Sequence, residues 1–200
     1  TTSAGIAIAA SKVDGKLTNK ADIEKAINAS IGENSKARMG SVAVKNSTIG
    51  KTGKVTNKAD ISKAINASIG KGSTANMGSI DMQGSKIKGT VSNNAKIDKA
   101  INASIGENSR ANMGTISMKN ATIGKSGKVT NKANVTKAIN ASIGKGSTAN
   151  MGSIDMQGGK VKGTVSNDAT IDKAINASIG ENSRANMGSV SMKNSTVGKQ

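Results

Sequence analysis

The sequence predicts an all-β fold, a β-solenoid of cross-β type in which repeats of about 37 residues stack in parallel and in register. The first observation is the heptapeptide Ala-Ile-Asn-Ala-Ser-Ile-Gly, which recurs unchanged from Ala26, Ala64, Ala100, Ala138 and Ala174. The second is the regular spacing of these copies, which is 38, 36, 38 and 36 residues. A fixed period is typical of proteins in which each repeat buries its apolar side against neighbouring copies.

Inside each copy the apolar residues alternate with polar ones, which is the third observation and predicts half-buried strands. In the third copy a strand is expected over Ala95–Ile105, with Lys99 at a corner because it interrupts the alternation. The sequence Gly-Glu-Asn-Ser from Gly106 has turn chemistry. A second strand is expected over Ala111–Met118, and a short one over Ala121–Gly124.

A helix is the alternative for the segment from Ala59 to Ile69. Ile61, Ile65 and Ile69 recur at intervals of four residues, as on one face of a helix. However, the segment is rich in β-branched and turn-forming residues, and glycine follows at once. These residue types favour a strand.

The size of one layer is the next question, because Asn102–Gly106 has a weaker echo 18 residues later, at Asn120–Gly124. If one layer is a whole repeat, the residues that follow the heptapeptide stack as an alternating column of charges. This column consists of Glu33, Lys71, Glu107, Lys145 and Glu181. Opposite charges on neighbouring strands are favourable, whereas half-repeat layers would stack mostly lysines. The charges therefore favour the 37-residue layer and leave the 18-residue layer as the alternative.

Whole-repeat layers also predict uniform columns of asparagine and methionine. The first asparagine column consists of Asn28, Asn66, Asn102, Asn140 and Asn176, and the second of Asn76, Asn112, Asn150 and Asn186. Stacked amides form hydrogen bonds along the stacking axis of cross-β structures. One methionine column contains Met39, Met77, Met113, Met151 and Met187, and another contains Val44, Met82, Met118, Met156 and Met192. We interpret the methionines as core residues.

The domain organisation expected is an N-terminal segment, 1–25, followed by a five-copy array, 26–200, whose last copy is incomplete. Residues 14–25 resemble the part that the last copy lacks. We expect this segment to complete the last layer of a neighbouring subunit, so that subunits assemble head to tail. The alternative is that the repeat array begins and ends at an arbitrary phase. The alternating residues Gly5–Ala9 are a candidate donated strand.

The composition excludes several classes of catalytic site. The chain has no His, Cys, Phe, Trp, Tyr or Pro. Imidazole bases, thiol nucleophiles, disulfides and zinc fingers are therefore absent. No catalytic residue, metal ligand or cofactor-binding motif stands out, so we predict a protein that is not an enzyme and that needs no cofactor. No apolar run is long enough to span a membrane.

The charge predicts non-specific attraction to polyanions. Lys and Arg number 29 and Asp and Glu 12, which gives a net charge of +17. Candidate partners are anionic polysaccharide, lipopolysaccharide and extracellular DNA. The alternative interpretation is that the charge keeps a β-rich chain soluble before it assembles.

The stretch Ile-Asn-Ala-Ser-Ile-Gly-Glu-Asn-Ser-Arg-Ala-Asn-Met-Gly resembles the repeats of secreted bacterial functional amyloids. The likeness is to the Fap type, and more distantly to curli, and it covers most of residues 18–200. The resemblance implies a secreted, self-assembling subunit of a biofilm or cell-surface fibre. The start of the chain also has the composition of a mature end left by a removed signal peptide. The alternative function is a monomeric, basic β-solenoid that serves as an adhesin or stalk and binds polyanions.

Overall fold

The structure is a computed structural model that describes residues 5–198, and it confirms the predicted parallel β-solenoid. The chain winds through five complete layers, and successive layers pair residues that are 38 or 36 positions apart. The whole-repeat layer is therefore correct and the 18-residue alternative is wrong. No helix occurs in residues 5–198. The segment that could have been helical forms two strands instead.

Five parallel sheets run along the solenoid, and each layer contributes one strand to each sheet. Sheet A contains β3 (Lys16–Glu24), β8 (Lys54–Ser62), β13 (Thr90–Asp98), β18 (Lys128–Thr136) and β23 (Thr164–Asp172). Sheet B contains the heptapeptide strands β4 (Ile27–Ile31), β9 (Ile65–Ile69), β14 (Ile101–Ile105), β19 (Ile139–Ile143) and β24 (Ile175–Ile179). Sheet C contains β5 (Lys36–Met39), β10 (Thr74–Met77), β15 (Arg110–Met113), β20 (Thr148–Met151) and β25 (Arg184–Met187).

Two further sheets complete each layer and also extend before the first one. Sheet D contains β1 (Ile6–Ala9), β6 (Val42–Lys45), β11 (Ile80–Gln83), β16 (Ile116–Lys119), β21 (Ile154–Gln157) and β26 (Val190–Lys193). Sheet E contains β2 (Lys12–Val13), β7 (Thr48–Ile49), β12 (Lys86–Ile87), β17 (Thr122–Ile123), β22 (Lys160–Val161) and β27 (Thr196–Val197). Layer 1 thus begins at β3 and layer 5 ends at β27.

Lysine forms the corner between sheets A and B in every layer, as predicted for Lys99. The five corner lysines have φ between 48° and 53° and exposed side chains. This left-handed conformation is uncommon outside glycine, and it turns the chain within one residue. The corner residues are Lys25, Lys63, Lys99, Lys137 and Lys173.

The single strand expected over 111–118 is wrong, because it divides into β15 and β16 at Gly114. Gly114 has a φ of +60°, and a Cβ there would lie 3.2 Å from the Cβ of Ala133. Glycine is therefore required both by the backbone conformation and by the close packing of sheet A. The resulting bend turns the chain from sheet C into sheet D.

The interior has two apolar regions separated by a column of asparagines. One region lies beside sheets D and E and contains residues such as Val55, Ile80 and Met118. The other lies between sheets A and C and contains residues such as Ile61 and Met113. Between sheets B and C the interior is polar, since the inward residues of the heptapeptide strand are asparagine and serine. Small aliphatic residues and methionine fill these narrow spaces without aromatic rings.

Candidate functional site

The first predicted asparagine column forms a continuous ladder of amide hydrogen bonds along the solenoid. Each Nδ2 donates to the Oδ1 of the next layer at 2.8–2.9 Å. The same Nδ2 also contacts carbonyl oxygens of sheet C, as Asn102 does with Ala75 and Asn112. The amides are fully buried in layers 2–4. The ladder therefore joins layers to each other and sheet B to sheet C.

A parallel ladder, which sequence reasoning missed, runs along sheet A. Its Nδ2-to-Oδ1 distances are 2.7–2.9 Å, and its members are Asn19, Asn57, Asn93, Asn131 and Asn167. Some of these amides also donate to the carbonyl at the bend between sheets C and D, as Asn131 does to Gly114. The sequence does contain a signal for this ladder, which is an asparagine at the same inward position of each repeat.

The second predicted asparagine column runs in the opposite direction. Asn112 donates to Asn76, Asn150 to Asn112 and Asn186 to Asn150, at 2.8–3.0 Å. Layer 1 has Arg38 at this position, so the buried Nδ2 of Asn76 finds no acceptor among residues 5–198. The ladders thus have a defined polarity along the axis.

The charged column lies at the turn after sheet B, and its members contact each other in pairs. The Nζ of Lys71 lies 3.4 Å from a carboxylate oxygen of Glu107, and that of Lys145 lies 3.1 Å from one of Glu181. All four side chains are more than half exposed. Glu33 begins the column but forms no ion pair within 4 Å in the described part of the chain. Exposed pairs of this kind contribute little each.

Both methionine columns lie in the interior in layers 1–4, with Val44 beginning the second column. They become exposed in layer 5. Met151 is fully buried, whereas the equivalent Met187 is 43% exposed, and Met156 and Met192 differ in the same way. The strands of layer 5 have no further strand on their outer side within the described residues. Among residues 5–198, layer 5 therefore has core side chains and sheet edges that no other strand covers.

The N-terminal segment, predicted to span 1–25, forms the first strands of the solenoid over residues 5–25, while residues 1–4 lie outside the described chain. Strand β1 pairs with β6 of the same chain, Ile6 opposite Val42, and β2 pairs with β7. The candidate donated strand Gly5–Ala9 thus pairs within its own chain in this structure. Its apolar alternation is used within its own chain.

A basic groove runs along the axis where sheets C and D meet at an angle. Its volume is about 680 Å³. The basic residues that line it belong to layers 1, 3 and 5, and they are Lys36, Arg110, Lys119, Arg184 and Lys193. Layers 2 and 4 contribute neutral side chains together with Asp81. The Arg110 guanidinium donates to the Oε1 of Gln157 at 2.7 Å and to the Oγ of Ser117 at 3.3 Å, which holds it against the groove wall.

The described residues contain no grouping of three or more acidic, histidine or cysteine side chains suited to a metal ion. Nor does a helix long and apolar enough to cross a bilayer occur in that part of the chain.

The sequence matches a family model described as a ubiquitin interaction motif at residues 18–34, 56–71, 92–108 and 166–182. These matches cover about a third of the chain, and each falls on the same part of the repeat, from sheet A through the lysine corner to sheet B. The comparisons found no matching curated protein and no matching solved structure. The chain is a repeat protein with a β-solenoid fold, and the matched motif recurs with its repeat.

Proposed function

We propose that this chain is a structural subunit of an extracellular, functional amyloid-like fibre of a biofilm or cell-surface matrix. In this proposal the subunits stack head to tail, and no catalytic step is involved. The observation that carries the proposal is that successive layers pair in parallel through equivalent residues, so that a layer of another copy can stack where a layer of the same chain does. Unpaired, apolar strand edges are templates for pairing with another chain. The secreted location follows from the resemblance to secreted amyloid repeats.

The polarity of the asparagine ladders supports this head-to-tail arrangement. At the layer 5 end, Asn167 and Asn176 present Nδ2 donors along the axis, and Asn186 presents an Oδ1 acceptor. At the layer 1 end the matching atoms are the Oδ1 acceptors of Asn19 and Asn28. Arg38, a donor, occupies the third position there. Stacking one copy on another therefore joins donors to acceptors in all three columns.

Continuous stacking requires a rearrangement at the N-terminal segment. Strands β1 and β2 occupy the positions that β26 and β27 of a preceding copy would take on sheets D and E. If the preceding copy displaces β1 and β2, its strands β26 and β27, which have the same lengths of four and two residues, take their places. At the same time, sheets A, B and C gain pairing over strands of nine, five and four residues. The exchange therefore adds far more pairing than it removes.

The direct test of the proposal is assembly of the purified 200-residue chain. We expect unbranched fibres with a meridional reflection at about 4.7–4.8 Å. Salt should accelerate assembly, because it screens the repulsion between subunits of net charge +17. A monodisperse monomer at high concentration and moderate salt contradicts the proposal.

Two deletions test the head-to-tail register. Removing residues 1–13 removes β1 and β2, so fibres should form with a shorter lag than those of the parent. Removing residues 1–25 also removes β3, which leaves β23 of the preceding copy without its partner, and assembly should slow. Equal assembly rates for the two deletions would contradict this register while leaving fibre formation itself intact.

A second candidate function, polyanion binding, is favoured by the basic groove. Its basic residues recur on alternate layers, about 9.6 Å apart, which suits an extended polymer with regularly spaced acidic groups. Binding to dextran sulfate and to DNA should weaken steeply with salt and should not depend on DNA sequence. Replacing Arg110, Lys119 and Arg184 with glutamine should weaken binding. The matched control replaces Lys20, Lys58 and Lys132, which lie outside the groove, with glutamine. If both variants lose the same amount of polyanion binding, the binding depends on overall charge and not on the groove.

A further inference from the structure

The outer surface of sheet B is an apolar face that no other part of the described chain covers. Two columns of isoleucine flank a column of alanine, and we call these fifteen residues the isoleucine face. Its members are Ile27, Ile65, Ile101, Ile139 and Ile175; Ala29, Ala67, Ala103, Ala141 and Ala177; and Ile31, Ile69, Ile105, Ile143 and Ile179. The isoleucines of layers 2–4 are 40–42% exposed, and those of the end layers 59–79%.

This face differs from every other outward surface of the described solenoid. The other large exposed apolar residues, such as Met187 and Val197, all belong to the open edge of layer 5. Sheets A and E have charged, hydroxyl and amide side chains outward, and sheets C and D line the basic groove. The exposure of the isoleucine face is thus repeated in each layer and does not result from a missing neighbour along the axis.

We propose that the isoleucine face is a lateral interface with a second copy of this chain, so that two solenoids pair face to face. The face has two isoleucine ridges about 13 Å apart with an alanine furrow between them. A ridge of one copy can enter the furrow of the other, as in the dry interdigitated interfaces of paired β-sheets. The periodicity specifies the occupant, because another solenoid presents ridges that continue from layer to layer at the same spacing.

The inner side of sheet B makes this face rigid. Behind the isoleucines, the asparagine ladder and the buried serines fix every strand, as when Ser104 donates to the carbonyl of Ser73 at 3.2 Å. Glycine at the end of each heptapeptide allows close stacking, because a Cβ at Gly106 would collide with the carbonyl oxygen of Gly70. The ridges are therefore already ordered before they bind, so pairing costs little conformational entropy.

The charges beside the face select the orientation of the second copy. One border is the all-lysine corner column, which includes Lys99, and the other is the alternating column, which includes Glu107. A two-fold axis parallel to the stacking direction brings these unlike borders together. A two-fold axis along the strands would oppose two lysine columns, which repel each other. The pairing is therefore expected between solenoids that run in the same direction.

The area predicts that pairing depends on fibre growth. Five strands of five residues span roughly 24 Å by 16 Å, or about 400 Å² per copy. Stable interfaces bury about 800 Å² per partner, so two single subunits should pair weakly. In a stack the area increases with every added subunit. The inference therefore rests on the proposed fibre, and each fibre then contains two paired solenoids.

The test compares threonine and valine variants. Threonine at Ile65, Ile69, Ile101, Ile105, Ile139 and Ile143 keeps β-branching but makes both ridges polar in layers 2–4, whereas valine at the same positions keeps them apolar. The parent and the valine variant should form fibres with two chains per five layers, measured as mass per length. The threonine variant should give single solenoids with half that mass and the same layer spacing. An unchanged mass per length in the threonine variant would overturn the inference.

Cross-linking tests the face in the soluble chain, independently of fibre formation. Because the sequence has no cysteine, A103C introduces a single thiol in the furrow, and T130C introduces one on the outer side of sheet A as the control. At low salt, before fibres form, a bismaleimide cross-linker should give dimers faster for A103C than for T130C, because unlike a disulfide it can span face-to-face sheets about 10 Å apart. Equal rates contradict face-to-face pairing. If, in addition, the parent adsorbs to phosphatidylserine vesicles and the threonine variant does not, the face binds a lipid surface instead.

Discussion

Layers 4 and 5 share the heptapeptide and most of their inward-facing residues, but only layer 4 is buried. Ile154 and Met156 are covered by the following layer, whereas Val190 and Met192, their equivalents, are more than 40% exposed. The asparagine ladder shows the same contrast, since Asn140 is completely buried and Asn176 only half-buried. The burial of a side chain is therefore determined by the neighbouring layer and not by the sequence of its own layer, as in other repeat proteins.

The largest expected effect is that of removing a core methionine from the two kinds of layer. Met113→Ala should destabilise the chain by about 2–5 kcal/mol, because it leaves a cavity in a fully buried column. Met187→Ala should cost less than about half as much, since its side chain is already partly in water. Urea unfolding of the soluble chain measures both. Equal losses would mean that layer 5 is buried in solution, and the comparison would fail.

The asparagine ladder should show the next largest contrast. Asn102→Ala removes the acceptor of Asn66 and the donor to Asn140, and each buried polar group left unpaired costs about 1–3 kcal/mol. Asn176→Ala removes only one ladder hydrogen bond, that from the Nδ2 of Asn140, because no later layer follows in the described chain. Urea unfolding of the two variants should therefore rank Asn102→Ala as the more damaging. If Asn176→Ala were equally damaging, the ladder would not transmit stability between layers.

The smallest expected effect concerns the charged column. Replacing Lys71 and Lys145 with glutamate removes both ion pairs and opposes like charges. Each contact should cost about 0.2–1 kcal/mol, and assembly should slow at low salt. High salt should abolish the difference from the parent. Replacing both lysines with glutamine is the control, which removes the pairs without adding repulsion. Parental assembly rates at low salt would show that the column has no role in assembly.

The opposite change tests the junction between copies. Glu181 and Glu33 share the same charge, and head-to-tail stacking places them in adjacent layers. Glu33→Lys should therefore speed assembly modestly at low salt, within the same range of about 0.2–1 kcal/mol. Slower assembly of this variant would argue against direct stacking of layer 5 on layer 1.

Much of the fold could be predicted because each copy repeats the same evidence. The unchanged heptapeptide fixed the period, and Lys99 marked the corner by interrupting the alternation. The bend at Gly114 was missed because an alternating pattern continues through it, and only its positive φ and its contact with sheet A reveal it. The opposite direction of the Asn76 ladder was also beyond prediction, since an amide can donate to either neighbour.

The surfaces were less predictable than the core. The groove depends on the angle between sheets C and D, which brings Arg110 and Lys119 to one side. The isoleucine face required knowing which residues of the heptapeptide point outward. Alternation alone is compatible with either the isoleucines or Asn102 inside, and hydrophobicity by itself favours the isoleucines, which in fact lie outside. Asparagine is inside because its amide finds partners in every layer.

Amide hydrogen exchange, compared between soluble and assembled protein, tests the central claim most directly. If neighbouring copies complete the open edge, those amides of β23, β24 and β25 that do not donate to layer 4 should exchange quickly in the soluble chain. In the assembled protein they should slow to the rates of β13, β14 and β15. Assembled material in which the last-layer strands still exchange as fast as in the soluble chain would contradict the account.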